Sequence, residues 1–101
     1  MNITTTIEGA TLKIAIDGRL GANTVGQLDE VLKSNLDGIT ELDFDFTKLE
    51  YLSSAGLRLL LTTQKRMNKQ GCMKIYNAND SVMEIFKITG FVDILTLKKT
   101  N

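Results

Sequence analysis

Histidine, proline and tryptophan are absent from the 101 residues, and cysteine occurs once. Each absence removes a class of chemistry. Without imidazole there is no His-based metal site, no triad or dyad built on histidine, and no side chain that ordinarily titrates near neutral pH. No convincing acid–base pair or activated nucleophile takes its place, so the expectation is a protein without catalytic activity or cofactor. The single thiol, Cys72, cannot close a disulfide within the chain, which suits a reducing compartment and makes the cytoplasm the expected location. Lys+Arg and Asp+Glu each number 12 and aromatic residues make up 6%. A nucleic-acid partner needs a basic footprint, and this composition excludes one. The longest aliphatic run, Leu59-Leu60-Leu61, is far short of the roughly 20 residues of a membrane span. Met1-Asn2-Ile3-Thr4-Thr5-Thr6 has neither the basic nor the apolar region of a secretory signal, so direct membrane insertion and export are not expected.

What is present is a 43% hydrophobic content, adequate for one core, and no repeat, linker or low-complexity segment. One domain over 1–101 is therefore expected. Ile3 to Glu8 and Thr11 to Arg19 are rich in β-branched residues, with Leu12, Ile14 and Ile16 alternating with Lys13, Ala15 and Asp17. They read as an opening hairpin across Gly9. Thr24 and Gln27 have capping-box spacing, and Val25, Leu28, Val31, Leu32 and Leu36 recur at helical spacing up to Gly38. Glu41 to Phe46 alternates again, with Leu42, Phe44 and Phe46 on one face. After a connection over Thr47 to Leu52, a second helix is predicted from Ser53 or Ser54 to Gln70, with Gly71 in the left-handed closing position. Cys72 to Tyr76 is a short strand. Ser81 and Glu84 suggest the cap of a third helix that turns Val82, Ile85 and Phe86 inward and ends at Gly90; a last strand lies near Ile94 to Leu97. The order β-β-α-β-α-β-α-β implies an α/β fold, a mixed sheet of about five strands with helices packed on it.

In open sheets of this kind, sites gather beyond the carboxyl ends of the strands, where helix N-termini also lie. Here that segment reads Tyr51-Leu52-Ser53-Ser54-Ala55-Gly56-Leu57-Arg58-Leu59-Leu60. One serine can cap the helix while the other directs its hydroxyl to solvent near the positive end of the helix dipole. A phosphate there adds about −1.5 to −2 charge, which a helix N-terminus tolerates and a docked partner need not. Chemistry alone leaves two plain capping serines as the simpler reading, because serine is a preferred N-cap everywhere.

This stretch resembles the phosphorylation-site segment of STAS domains, the family that includes bacterial anti-sigma factor antagonists. Gly18-Arg19-Leu20 with Ala22-Asn23-Thr24 resembles the turn into the first helix. Leu42-Asp43-Phe44-Asp45-Phe46-Thr47 resembles the strand before the site, and Phe86-Lys87-Ile88-Thr89-Gly90-Phe91 the late helix ending. The resemblance covers nearly the whole chain. It implies a partner switch: the unphosphorylated protein binds an anti-sigma factor that is also a serine kinase, phosphorylation releases it, and a serine phosphatase resets it. Carried over, the phosphoacceptor falls on Ser54, with Ser53 as runner-up. Ser53 stands where many members carry Asp, and Gly21 where an acidic residue is common, so both departures remove negative charge beside the acceptor. The alternative within the same fold is a STAS subunit of a membrane transport complex for lipid or anion, or of a signalling assembly, acting by protein binding without phosphorylation.

At about 100° per residue, Leu57, Leu60, Leu61 and Met67 share the inward side of the second helix, whereas Leu59 lies nearer Arg58, Thr62 and Arg66. Arg58, Leu59 and Thr62, with Asn23, are the expected partner-binding residues. The carboxylates of Asp43 and Asp45 project to one side of a strand but lack a third ligand, so they read as structural or solvated. Gly18, Gly21 and Gly26 lack the spacing of a phosphate-binding loop. Cys72 reads as a buried or half-buried spectator, and Met67, Met73 and Met83 as core or near-core gap fillers.

Overall fold

The computed structural model describes residues 1–100. Its strands are β1 (Asn2–Glu8), β2 (Thr11–Leu20), β3 (Glu41–Asp45), β4 (Leu49–Leu52), β5 (Cys72–Tyr76) and β6 (Leu97–Lys98). The helices are α1 (Val25–Asn35), α2 (Ser54–Gln70) and α3 (Asp80–Thr89), and a 3-10 turn covers Phe91–Asp93. The sheet runs β1-β2-β3-β5-β6, with β4 paired to the end of β2. Only β1 is antiparallel, paired with β2; the β2–β3, β2–β4, β3–β5 and β5–β6 pairs are parallel, as crossovers through helices require.

Alternation along the strands sends one set of side chains under the helices. Leu12, Ile14 and Ile16 of β2, Leu42 and Phe44 of β3 and Met73 and Ile75 of β5 are all buried. They meet Leu28 and Leu32 of α1, Leu60 and Met67 of α2, and Val82 and Phe86 of α3 in one core. Phe44 and Phe46 lie two residues apart with ring centroids 5.6 Å apart and planes tilted by 48°, a favourable aromatic geometry. The opposite set, including Lys13, Asp17 and Asp45, faces solvent, so the sheet is covered on one side only.

Several local expectations need correction. Residues Thr47 to Leu52 are not all connection: Leu49–Leu52 forms β4, whose Leu49 and Leu52 are buried while Glu50 and Tyr51 are exposed. A four-residue strand with two charged or polar neighbours carries too little alternation to be read from sequence. Thr24 does not cap α1; its hydroxyl donates to the Arg19 carbonyl at 2.7 Å and accepts from the Gly21 N–H at 2.9 Å, bracing the turn instead. Asn79, not Ser81, caps α3 by accepting from the Val82 N–H at 2.9 Å. The last strand is Leu97–Lys98 because Phe91–Asp93 coils first, leaving Ile94 exposed. Along α2, Leu61 is only half-buried and Thr63 and Gln64 take the inward positions. Cys72 is exposed at the start of β5.

Gly71 is glycine for a different reason from the one expected. Its φ of 169° is ordinary extended backbone, not left-handed. A β-carbon there would lie 1.8 Å from the Thr40 carbonyl oxygen, inside any allowed contact. The same carbonyl accepts the Cys72 N–H at 2.9 Å, so the approach is what starts β5 beside β3. Gln70 reinforces it by donating from Nε2 to the carbonyls of Leu36 and Ile39 at 2.8 and 2.7 Å. Gly71→Ala forces these backbones apart and is expected to destabilise by about 3 kcal/mol, lowering the melting midpoint by more than about 10 °C. A shift below about 3 °C in a calorimetric scan contradicts this packing.

Candidate functional site

The site is built where β2 and β4 end and α2 begins. The Ser53 N–H donates to the Leu20 carbonyl at 2.9 Å, which fixes the last residue before α2 to the last residue of β2. Ser53 is extended (φ −88°, ψ 173°), and its Oγ accepts from the Gly56 N–H at 3.3 Å, capping the helix. Ser54 is then the first helical residue and is exposed, so of the two serines one caps and the next faces outward. Gly56 allows the close fit: a β-carbon on it would sit 2.6 Å from Leu52 Cδ1 and 3.0 Å from the Leu20 carbonyl oxygen. No acidic residue occupies the first turn of α2, so its dipole end lacks a built-in counter-charge.

The turn between β2 and α1 forms the neighbouring wall. Arg19, Gly21, Ala22, Asn23, Thr24 and Tyr51 line a hollow of about 250 Å³. A β-carbon placed on Gly21 would be 4.0 Å from both Ser53 Oγ and Tyr51 Cε2, so this turn and the serine pair are immediate neighbours. The Arg19 guanidinium stacks 4.4 Å from the Tyr51 ring centroid, an exposed cation–π pair worth about 0.5–1 kcal/mol. Sequence reasoning missed this pair, because Arg19 and Tyr51 become cross-strand partners only through β4.

Of the residues expected to bind a partner, Asn23, Arg58 and Thr62 are exposed. Arg58 and Thr62 lie one turn apart on α2, where the Thr62 hydroxyl donates to the Arg58 carbonyl at 3.0 Å. Leu59 is half-buried against the core. Arg66 is engaged elsewhere, pairing with Asp37 at 2.9 Å and donating from Nε to Gln70 at 3.3 Å. The outward surface at this end thus joins Ser54, Arg58 and Thr62 of α2 to the Asn23 turn.

A second cluster lies on the uncovered sheet face. There Asp43 stands between Lys13 and Lys74 in the strand register, and Glu41 pairs with Lys74 at 3.7 Å. A depression of about 460 Å³ runs alongside, lined by Thr4, Thr6, Lys13, Ala15 and Tyr76 among others, because Ala15 is short between longer neighbours. Burial, and then the hydrogen bond and charge of Glu41, push the Asp43 carboxyl up to about 6, against the opposing pull of Lys74 and Lys13. Asp43 Oδ1 is buried without a hydrogen-bond partner among the described residues. Among the described residues no group of three His, Cys, Asp or Glu is arranged to hold a metal, and no helix is long and apolar enough to cross a membrane.

Residues 2–101 match the family model described as the STAS domain. Among curated relatives, the anti-sigma-B factor antagonist of Staphylococcus aureus is 30% identical over 97 residues, covering 94% of this chain and 90% of that protein. An anti-sigma factor antagonist from Mycobacterium paratuberculosis has a similar structure, with a TM-score of 0.88 at 18% identity over 98% of this chain and 86% of that one. The anti-sigma factor antagonist SpoIIAA in its unphosphorylated form gives 0.84 at 17% identity, covering 99% and 89%. The Bacillus cell fate determinant SpoIIAA in its phosphorylated form gives 0.79 at 16%, covering 99% and 92%. At these identities the solved structures speak for the fold.

Asp43 generates a pH prediction. Its raised value means the folded chain binds a proton more tightly than the unfolded one, so its stabilising contribution is complete below about pH 4 and is lost as pH rises through about 6. Asp43→Asn retains the neutral form at every pH. Its unfolding free energy relative to the parent chain is expected to rise between pH 4 and 6, by no more than about 1 kcal/mol because solvent screens a half-exposed group. An unchanged difference across that range contradicts the assignment.

Proposed function

This chain belongs to the STAS domain family and is related to anti-sigma factor antagonists, and we propose that it is itself such an antagonist, switched by phosphate on Ser54. Unphosphorylated, it binds an anti-sigma factor with serine kinase activity through the surface of Ser54, Arg58 and Thr62 and the Asn23 turn. The kinase transfers the γ-phosphoryl group of ATP to the Ser54 hydroxyl, giving ADP, and a serine phosphatase later hydrolyses the ester. The observation that carries this reading is the division of labour between two adjacent serines. The Ser53 Oγ is engaged as the cap of α2, whereas Ser54 is exposed at the first helical position.

Electrostatics supports the direction of the switch. The helix N-terminus tolerates the added charge, so the fold persists. A partner packed on the same surface meets two new negative charges and must desolvate them, which costs more than an exposed contact of this kind contributes. Arg19, stacked on Tyr51, lines the hollow beside the site and supplies a cation there. The proposed action is binding and release, in the reducing cytosol.

Incubation with the cognate kinase and Mg-ATP is expected to add one phosphate that maps to Ser54. Ser54→Ala should block incorporation while keeping partner affinity within about threefold, and Ser54→Asp should weaken the complex by tenfold or more, about 1.4 kcal/mol. Phosphate on Ser53 or elsewhere, or full affinity in Ser54→Asp together with the phosphorylated protein, contradicts the reading. A transporter ATPase recovered as the stable partner, with no phosphate on Ser54, favours the membrane-complex alternative.

A further inference from the structure

We propose that the free edge of β1 pairs with the same edge of a second copy of this chain, joining the two sheets antiparallel about Thr5. The sequence of β1, Asn2-Ile3-Thr4-Thr5-Thr6-Ile7-Glu8, is nearly palindromic about Thr5. In an antiparallel pair centred there, Thr5 meets its own copy, Thr4 meets Thr6, Ile3 meets Ile7, and Asn2 meets Glu8. No like charges are opposed, and the chain as a whole carries no net charge to repel its copy.

The backbone favours the same register. The β1–β2 hairpin closes with Glu8 opposite Thr11 around the two-residue turn Gly9-Ala10, with Gly9 at φ 61°. A pair flanking such a turn exchanges both its N–H and C=O groups, and engagement alternates from there. Glu8, Thr6, Thr4 and Asn2 therefore bond to β2, and the N–H and C=O groups of Ile7, Thr5 and Ile3 point away from it. Those three residues are the ones that meet as hydrogen-bonded pairs when Thr5 faces Thr5, giving about six bonds between copies.

Side chains agree with the backbone. Ile3 and Ile7 lie opposite Ile16 and Leu12 in the register and so share the helix-covered side of the sheet. Ile3 is partly covered by the core, but Ile7 remains 53% exposed, so no helix closes over that end of the edge. The pairing sets each exposed Ile7 beside the Ile3 of the other copy. On the open face the Thr4–Thr6 contacts add a cross-strand pair of a favourable type. The strand also lacks the usual devices that protect an edge: it has no proline, no lysine and no register break against β2. One strand edge is smaller than the roughly 1,200–2,000 Å² of a stable interface, so association is concentration-dependent.

Sedimentation equilibrium of the full chain from about 20 μM to about 1 mM is expected to show the average mass rising from the 11.2 kDa monomer towards twice that value. Over the same range, amide exchange at Ile3, Thr5 and Ile7 should slow at least threefold while Thr4 and Thr6 stay constant. Thr5→Pro removes an outward N–H without removing a β2 bond and should hold the chain monomeric. Ile7→Lys places a charge at an exposed position and should do the same even if Thr5→Pro fails to fold. Monomer mass at every concentration overturns the proposal, as does association without protection at Ile3, Thr5 and Ile7, or undiminished association in Ile7→Lys.

Discussion

The approach of the first turn of α2 to the end of β2 is the contact on which the rest of the site depends. The Leu20 carbonyl receives the Ser53 N–H at 2.9 Å, and the missing side chain of Gly56 lets the helix settle against Leu20 and Leu52. Three consequences follow from this one fit. Ser53 is locked into its capping conformation, Ser54 is placed outward on a rigid element, and Leu57 and Leu60 enter the core in phase. A longer side chain at Gly56 would act on all three at once, since besides the Leu52 methyl it would meet Leu20 Cγ and the Leu20 carbonyl oxygen, each at 3.0 Å.

The covered and uncovered faces of the sheet have separate duties. Beneath the helices, the apolar faces of the strands and three helices supply the stability, with Gly71 and Gln70 tying the far end of α2 to the β3 side. On the open face the polar row around Asp43 contributes little to packing and something to pH response. Ser54, the proposed acceptor, lies at the strand ends away from both, where a change of charge need not change the core. Zero net charge sharpens that change, because one phosphate alters the local field of a nearly neutral surface.

Alternation and helical spacing made most of the fold legible in the sequence. Leu12, Ile14 and Ile16, and Leu42, Phe44 and Phe46, are buried as their period requires, and the three helices lie where their apolar stripes fall. Features set by tertiary contact were not legible. β4 exists because β2 extends far enough to pair with it, Gly71 is needed because Thr40 comes close, and Thr24 braces a turn rather than a helix because the Arg19 carbonyl is within reach. The serine pair was visible because capping is local chemistry, but which serine caps depends on the Ser53–Leu20 bond. The Arg19–Tyr51 pair had no sequence signal at all, since it joins residues 32 apart in the chain through a four-residue strand.

Amide spectra of the chain before and after it carries phosphate on Ser54 test most directly the claim that this scaffold holds the serine without coupling it to the core. The account predicts shifts confined to residues 51–58 and 19–24, unmoved amides in β3 and β5, and a melting midpoint changed by less than about 3 °C. Shifts spread through Leu42, Phe44 and Ile75, or a midpoint lowered by about 10 °C, would contradict it.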